Sequence, residues 1–210
     1  MAGLSADGRN MVAHQIDQRG VRSAGGGRAM REVPREEFMS EALREFAYTD
    51  APLPIAEGQT ISQPYIVAYM IEALGLEGGE RVLEVGTGSG YAAAVLSRIA
   101  GEVYTIERHA GLAQSATENL RRLGYHNVHV ITGDGTRGWG GAAPYDAIVV
   151  AAGGSEVPAA LRDQLVIGGR LVIPIGPSTR EQRLVRIVRA SEDEFEEEDL
   201  LPVRFVPLIG

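Results

Sequence analysis

Three groups of residues in this chain have the types and spacing to do chemistry: a glycine loop, two acids beyond it, and a serine before it. Gly86, Gly88 and Gly90 stand in the run Arg81-Val-Leu-Glu-Val-Gly-Thr-Gly-Ser-Gly-Tyr91. Alternate glycines let backbone approach a ligand closely and aim N–H groups outward where a helix begins. The dinucleotide pattern G-x-G-x-x-G requires glycine at 91, where this chain has Tyr91. The spacing therefore favours a ligand with a nucleoside and no diphosphate. Glu107 lies 17 residues past Gly90, near the spacing of about 20 at which an acid meets ribose hydroxyls in nucleotide-binding βαβ units. The competing reading is a solvated acid at a helix start. Asp134, between Gly133 and Gly135, is placed to accept from an amino group such as adenine's, or it makes an ordinary turn. Ser62 and Thr60 sit just ahead of an apolar helical pattern, so either is as good a candidate for a helix cap as for chemistry.

Other chemistries find no support. No G-x-S-x-G elbow surrounds Ser62, and no P-loop with its lysine is present. His14, His109, His126 and His129 lack an accompanying carboxylate cluster, so no metal site is expected.

The elements that must position these residues alternate between strand and helix. Val82, Leu83 and Val85 make a short apolar run, the mark of a buried parallel strand, and residues 92–99 read as the helix after it. Residues 102–106, 128–131, 145–150 and 170–173 read as further strands. Helices are expected over 110–123 and 156–165, the second stopped by Gly168-Gly169. This order predicts an α/β, doubly wound parallel sheet with its ligand beyond the carboxyl ends of the strands. Gly86 to Gly90, Glu107 and Asp134 all fall at that edge.

Residues 1–60 read as a helical cover with a substrate-side loop, set on a core of residues 61–210. Residues 1–10 are expected to be disordered and 11–19 helical, carrying Met11, Val12 and Ile16 on one face. The stretch from Ser23 to Gly27 reads as a flexible joint. Pro34 then suits the first turn of a helix over 35–46, with Phe38, Ala42 and Leu43 inward. A helix over 65–74 follows the prolines at 52, 54 and 64. At the far end, 182–189 alternates as a half-exposed strand carrying Leu184, Arg186 and Val188. Residues 191–199 read as a solvated acidic hairpin tip, and 202–208 as a last strand. The end of the chain is thus an antiparallel addition to the sheet.

The 210 residues are 44% hydrophobic with a net charge of −8, which suits one α/β domain and argues against a broad nucleic-acid surface. There is no cysteine, hence no disulfide or Cys-ligated zinc, which fits a cytoplasmic protein. No apolar stretch is long enough to span a bilayer, and the first ten residues lack a signal peptide's apolar core. The expected partners are small molecules or flexible polypeptides, without nucleic acid or membrane, and a monomer is the expected state.

The run Val82-Leu83-Glu84-Val85-Gly86-Thr87-Gly88-Ser89-Gly90-Tyr91 resembles motif I of the S-adenosylmethionine-dependent methyltransferases of Rossmann-like fold. Val33-Pro34-Arg35-Glu36-Glu37-Phe38, Pro52-Leu53-Pro54-Ile55 and Gly58-Gln59-Thr60-Ile61-Ser62-Gln63-Pro64 resemble the protein-L-isoaspartate (D-aspartate) O-methyltransferase family. So do Gly133-Asp134-Gly135, Pro144-Tyr145-Asp146-Ala147-Ile148, Gly168 to Pro174, and Val203-Arg204-Phe205-Val206-Pro207-Leu208. The resemblance implies methyl transfer from S-adenosylmethionine to the free α-carboxylate of L-isoaspartyl residues in damaged proteins and peptides, leaving S-adenosylhomocysteine. It implies Ser62 as the active-site serine, with Gln59, Thr60 and Ile61 in the same cofactor-contacting loop. Glu84, Gly86, Gly88 and Gly90 belong to motif I and the methionine part. By the same resemblance Glu107 binds the ribose hydroxyls, Arg108 contacts the cofactor, Asp134-Gly135 meets the adenine end, and Val206-Pro207-Leu208 lines the isoaspartyl groove. Two features depart from the pattern: Ile209 stands where many members carry threonine, and Gly25-Gly26-Gly27 replaces a helix start. The alternatives are a small-molecule methyltransferase of the same fold, or a cofactor-binding module without turnover.

Overall fold

The computed structural model describes residues 4–21 and 26–210. Helix α1 (Ala6–Met11) begins at Ser5, whose side chain accepts from Gly8 N, and runs on through a π-helical turn, Val12–Ile16. Residues 6–10 are therefore helical, because Leu4, Gly8 and Met11 have a core to bury against. Met11, Val12 and Ile16 are buried as the spacing predicts. The joint expected from Ser23 to Gly27 falls partly outside the described residues, but Gly26 and Gly27 open helix α2 (Gly26–Met30) and are buried. Two 3-10 turns, Arg35–Phe38 and Glu41–Phe46, replace the single helix expected there. Ser40, extended between them, breaks it; Phe38 stays in the core while Ala42 is exposed.

A small antiparallel hairpin follows, β1 (Leu53–Pro54) with β2 (Thr60–Ile61). Helix α3 (Pro64–Leu74) has proline in its first turn, where no N–H is needed, and ends at Gly75 with φ +60°. Then come β3 (Arg81–Val85), α4 (Tyr91–Leu96), β4 (Glu102–Glu107), α5 (Ala110–Arg122), β5 (Val128–Thr132), β6 (Tyr145–Val150) and α6 (Ala159–Asp163). Last are β7 (Leu165–Ser178), β8 (Glu181–Arg189) and β9 (Phe195–Val203).

The sheet runs β5-β4-β3-β6-β7-β8-β9, parallel from β5 to β7 and antiparallel beyond. Its order reverses at β3, which pairs β4 on one side and β6 on the other. Alternate side chains of the central strands feed two cores. Val82, Ala147, Val149 and Val172 face α3, α4 and the N-terminal helices; Leu83, Ile148, Val150 and Leu171 face the side that Leu161 covers from α6. That is why these strands read as continuous apolar runs.

Four expectations about the far half of the chain are corrected. Gly168-Gly169 lies inside β7 and stops no helix; α6 ends at Asp163. In β8, Val185 and Ile187 are buried in the second core, so the strand is not simply half-exposed. The acidic residues Glu196 to Asp199 lie in β9, where Arg183 pairs with Asp199 at 2.6 Å and Arg186 with Glu198 at 2.6 Å, leaving only 191–194 at the tip. The last strand accordingly ends at Val203, and residues 204–208 form a tail.

Candidate active site

At the carboxyl end of β3 the chain leaves the sheet through three glycines with positive φ: Gly86 (+96°), Gly88 (+52°) and Gly90 (+88°). Residues with side chains adopt this region at a steric cost, which is the physical reason for the glycine spacing. Gly86 N donates to Ile106 O at 2.8 Å and Ala151 N to Val85 O at 2.8 Å, so the loop is tied to both neighbouring strands at the switch point. Glu107, at the end of β4, is 5% exposed. Its Oε2 accepts from Gly88 N at 2.9 Å and its Oε1 from His109 N at 3.0 Å. It is thus no solvated helix-start acid: one carboxylate braces the glycine loop and the start of α5. Each oxygen keeps a lone-pair site for a hydroxyl.

These groups line a cleft of about 610 Å³, within the usual range for small-molecule sites. Gln59, Thr60, Ile61 and Ser62 line it from the hairpin side. Gly86, Gly88, Glu107 and Arg108 line it from the sheet. Val206, Pro207, Leu208 and Ile209 line it from the tail. Neither Thr60 nor Ser62 caps α3; its N-cap is Gln63, which makes no side-chain cap hydrogen bond. Among the described residues Ser62 Oγ has no hydrogen-bond partner, so no adjacent base activates it as a nucleophile.

Four residues of the expected site sit outside this lining: Glu84, Gly90, Asp134 and Gly135. Glu84 is buried beneath the loop, where its Oε2 accepts from Thr105 Oγ1 at 2.5 Å, and Thr105 in turn meets Thr87 Oγ1 at 2.6 Å. Burial pushes its carboxyl up to about 8; the Thr105 bond opposes that shift and the nearby Glu107 adds to it. Gly90 is packed beneath the loop, where a side chain would press on Leu120 and Ala116. Asp134 caps a 3-10 turn, Gly135–Arg137, with Oδ1 accepting from Thr136 N at 2.9 Å. The hydrogen bond from Thr136 holds its carboxyl below the usual range. Gly135 lies so close under β3 that a methyl group there would overlap Val85.

No motif in the sequence singles out Gln182, which is buried at the start of β8 and lines the cleft. Its Oε1 accepts from Phe205 N at 2.7 Å, pinning the tail, while Leu208 N donates to Gly153 O at 2.8 Å beyond the end of β6. The signal was a polar residue on the apolar side of the alternation that Leu184 continues. Among the described residues no group of histidine, aspartate and glutamate could hold a metal ion, and no helix is long and apolar enough to cross a membrane.

A doubly wound sheet with a glycine loop at its switch point and an acid ending the adjacent strand is a Rossmann-like arrangement, and the proteins it is similar to place it in the Rossmann-like methyltransferase class. The chain belongs to the protein-L-isoaspartate(D-aspartate) O-methyltransferase family, whose sequence profile matches residues 7–210. It is 62% identical over 207 residues to protein-L-isoaspartate O-methyltransferase 1 of Rhodopseudomonas palustris strain HaA2, covering 99% of this chain and 84% of that protein. It is 60% identical to the corresponding enzyme 1 of Geotalea uraniireducens strain Rf4, covering 95% of this chain and 91% of the other. Among solved structures, a Plasmodium falciparum protein-L-isoaspartate O-methyltransferase in complex with S-adenosyl-L-homocysteine superposes with a TM-score of 0.84 at 27% identity, covering 98% of this chain and 99% of that one.

Proposed function

We propose that this cleft methylates the free α-carboxylate of L-isoaspartyl residues in damaged proteins and peptides, using S-adenosylmethionine and releasing S-adenosylhomocysteine. The observation that carries the reading is one continuous lining. The glycine loop with Glu107 and the Ser62 loop with the Val206-Pro207-Leu208 tail face the same space.

The residues present fit S-adenosylmethionine: Glu107 offers free lone pairs toward a ribose, and the positive-φ glycines leave the backbone uncovered. Gly86, Gly88 and the Gln59-Thr60-Ile61 loop would hold its methionine part, Glu107 and Arg108 its ribose. Asp134-Gly135 would stand at its adenine end, and Glu84 and Gly90 would shape the loop from below. Bound there, it supplies a methyl carbon electrophilic enough for direct attack by a carboxylate oxygen. An α-carboxylate has a pKa of about 3.5 and is already ionised at neutral pH, so no general base is needed. What the protein must supply is alignment and exclusion of water, and positioning alone is worth about 7–11 kcal/mol. Ser62 supplies alignment by donating its hydroxyl to the carboxylate, while Val206, Pro207 and Leu208 line the groove for the peptide. The ester so formed closes spontaneously to a succinimide, which reopens partly to normal aspartate. We place the enzyme in the cytoplasm as a monomer acting on flexible chains, without nucleic acid or membrane; a net charge of −8 and the absence of cysteine support this.

Two substitutions separate the roles. Ser62→Ala should lose most turnover on an isoaspartyl peptide while the S-adenosylhomocysteine Kd stays within about twofold, the pattern of an interaction made in the transition state. Glu107→Gln should weaken that Kd by about 1–3 kcal/mol, the scale for hydrogen bonds to charged groups. Unchanged turnover in the first, or an unchanged Kd in the second, would remove the corresponding role.

A further inference from the structure

Arg35 is the largest fully buried side chain among the described residues, with 0% exposure, and it makes no salt bridge with a carboxylate. It lies in the 3-10 turn Arg35–Phe38, in the N-terminal cover, and outside the cleft lining. Its Nε donates to Ala47 O at 2.8 Å and its Nη2 to Ser62 O at 2.7 Å. The guanidinium carbon stands 4.8 Å from the centroid of the Tyr91 ring. Nη1 has no hydrogen-bond partner.

A cation in such a place is costly to the fold, since burial penalises charge and carbonyls and a ring face offset only part of it. Replacement of buried charges by apolar side chains of like volume is often neutral or stabilising. The placement therefore calls for another explanation, and the contacts supply one. Ser62 and Gln63 lie between β2 and α3, in neither element. A short, charge-assisted bond to Ser62 O holds the peptide plane that follows Ser62, and so fixes the backbone from which its side chain projects. Tyr91, on which the same guanidinium packs, follows Gly90 directly, lines the cleft and is 1% exposed. Its hydroxyl donates to Met30 Sδ at 3.3 Å, anchoring it to α2. One planar cation thus ties the serine loop, the cover and the helix that leaves the glycine loop. Lysine, with a single nitrogen, cannot reproduce that fork.

We propose that Arg35 is a positioning residue for methyl transfer, setting Ser62 relative to the glycine loop from behind the cleft. This rests on the reading of Ser62 as the group that orients the substrate carboxylate. The test is a double-mutant cycle on the full chain: wild type, Arg35→Lys, Ser62→Ala and the double variant. Each is assayed for kcat on an isoaspartyl peptide at saturating S-adenosylmethionine, and for S-adenosylhomocysteine Kd by calorimetry. Arg35→Met, apolar and of similar volume, is carried alongside with its melting midpoint. The expected result is a tenfold or greater fall in kcat for Arg35→Lys with Kd within twofold, and a double variant within twofold of Ser62→Ala. Arg35→Met should lose at least as much turnover while its melting midpoint stays near that of the wild type.

A merely structural arginine would give losses that multiply with that of Ser62→Ala, or a kcat that falls only as the fold melts, and either overturns the proposal. So does full turnover in Arg35→Lys or Arg35→Met. If Ser62→Ala itself retains full turnover, the serine's role fails first and the inference falls with it. A serine variant that loses turnover beside a fully active Arg35→Met refutes the arginine alone.

Discussion

Glu107 and Glu84, two carboxyl groups packed against one glycine loop, stand in opposite surroundings. Glu107 ends its strand with both oxygens accepting backbone N–H groups, from Gly88 and His109, so it ties the glycine loop to the start of α5. Glu84 is one strand over and fully enclosed, with a single hydroxyl donor, so burial keeps its proton on to about pH 8. The sign of the resulting stability change is fixed. The folded state binds a proton more tightly than the unfolded chain, where the group titrates near 4.5, so stability falls as pH rises from about 4.5 to about 8. Glu84→Gln keeps an acceptor for Thr105 and removes the titration. Chemical denaturation at pH 5 and pH 8 should show the variant gaining on the wild type over this window, by at most about 1.4 kcal/mol per pH unit. Parallel pH profiles for the two proteins would show that Glu84 is ionised in the fold.

Elements place these residues through their ends. Helix α3 leads from Ser62 to Gly75, and its last carbonyls are met by Arg170 of β7, whose Nη1 donates to Leu74 O at 2.8 Å and Gly75 O at 2.9 Å. A cation at a helix C-terminus complements the exposed carbonyls. Arg170→Ala should therefore cost about 1–2 kcal/mol of unfolding free energy while leaving the S-adenosylhomocysteine Kd unchanged. A loss below about 0.3 kcal/mol would show the contact to be incidental. β3, β4 and β5 were legible because each is a largely apolar stretch closed by Gly86, Glu107 or Gly133, and β6 by its apolar run alone, whereas β7 extends well beyond the expected 170–173, from Leu165 to Ser178. The cover was less so. The run 35–46 has helical periodicity, yet the turn Arg35–Phe38 is bent inward to bring its arginine to Ala47 and Ser62, contacts that lie far off in sequence. Likewise Glu196 to Asp199 look like a solvated tip until β8 supplies Arg183 and Arg186 opposite them.

At the scale of the molecule, the N-terminal helices, α3, α4 and one face of the sheet share a single core, from Met11 through Tyr91 to Val203. The cleft opens where that assembly meets the switch point and the C-terminal tail. That Gly86, Gly88 and Glu107 would share one edge of the sheet was legible from glycine and acid spacing, whereas Gly90, Asp134 and Gly135, read with them, lie outside the cleft lining. The depth of Glu84, the pinning of the tail by Gln182 and the arginine behind Ser62 depend on packing between distant segments, and of the three only Gln182 leaves a local mark, as a polar residue in phase with Leu184. The proposed function requires this one cleft to join a nucleoside-cofactor site to an isoaspartyl site. The most direct measurement incubates the enzyme with methyl-labelled S-adenosylmethionine and two matched peptides, one isoaspartyl and one normal aspartyl, and counts base-labile methyl ester. Label is expected on the isoaspartyl peptide alone. Equal label on both, or none on either with cofactor still bound, would contradict it.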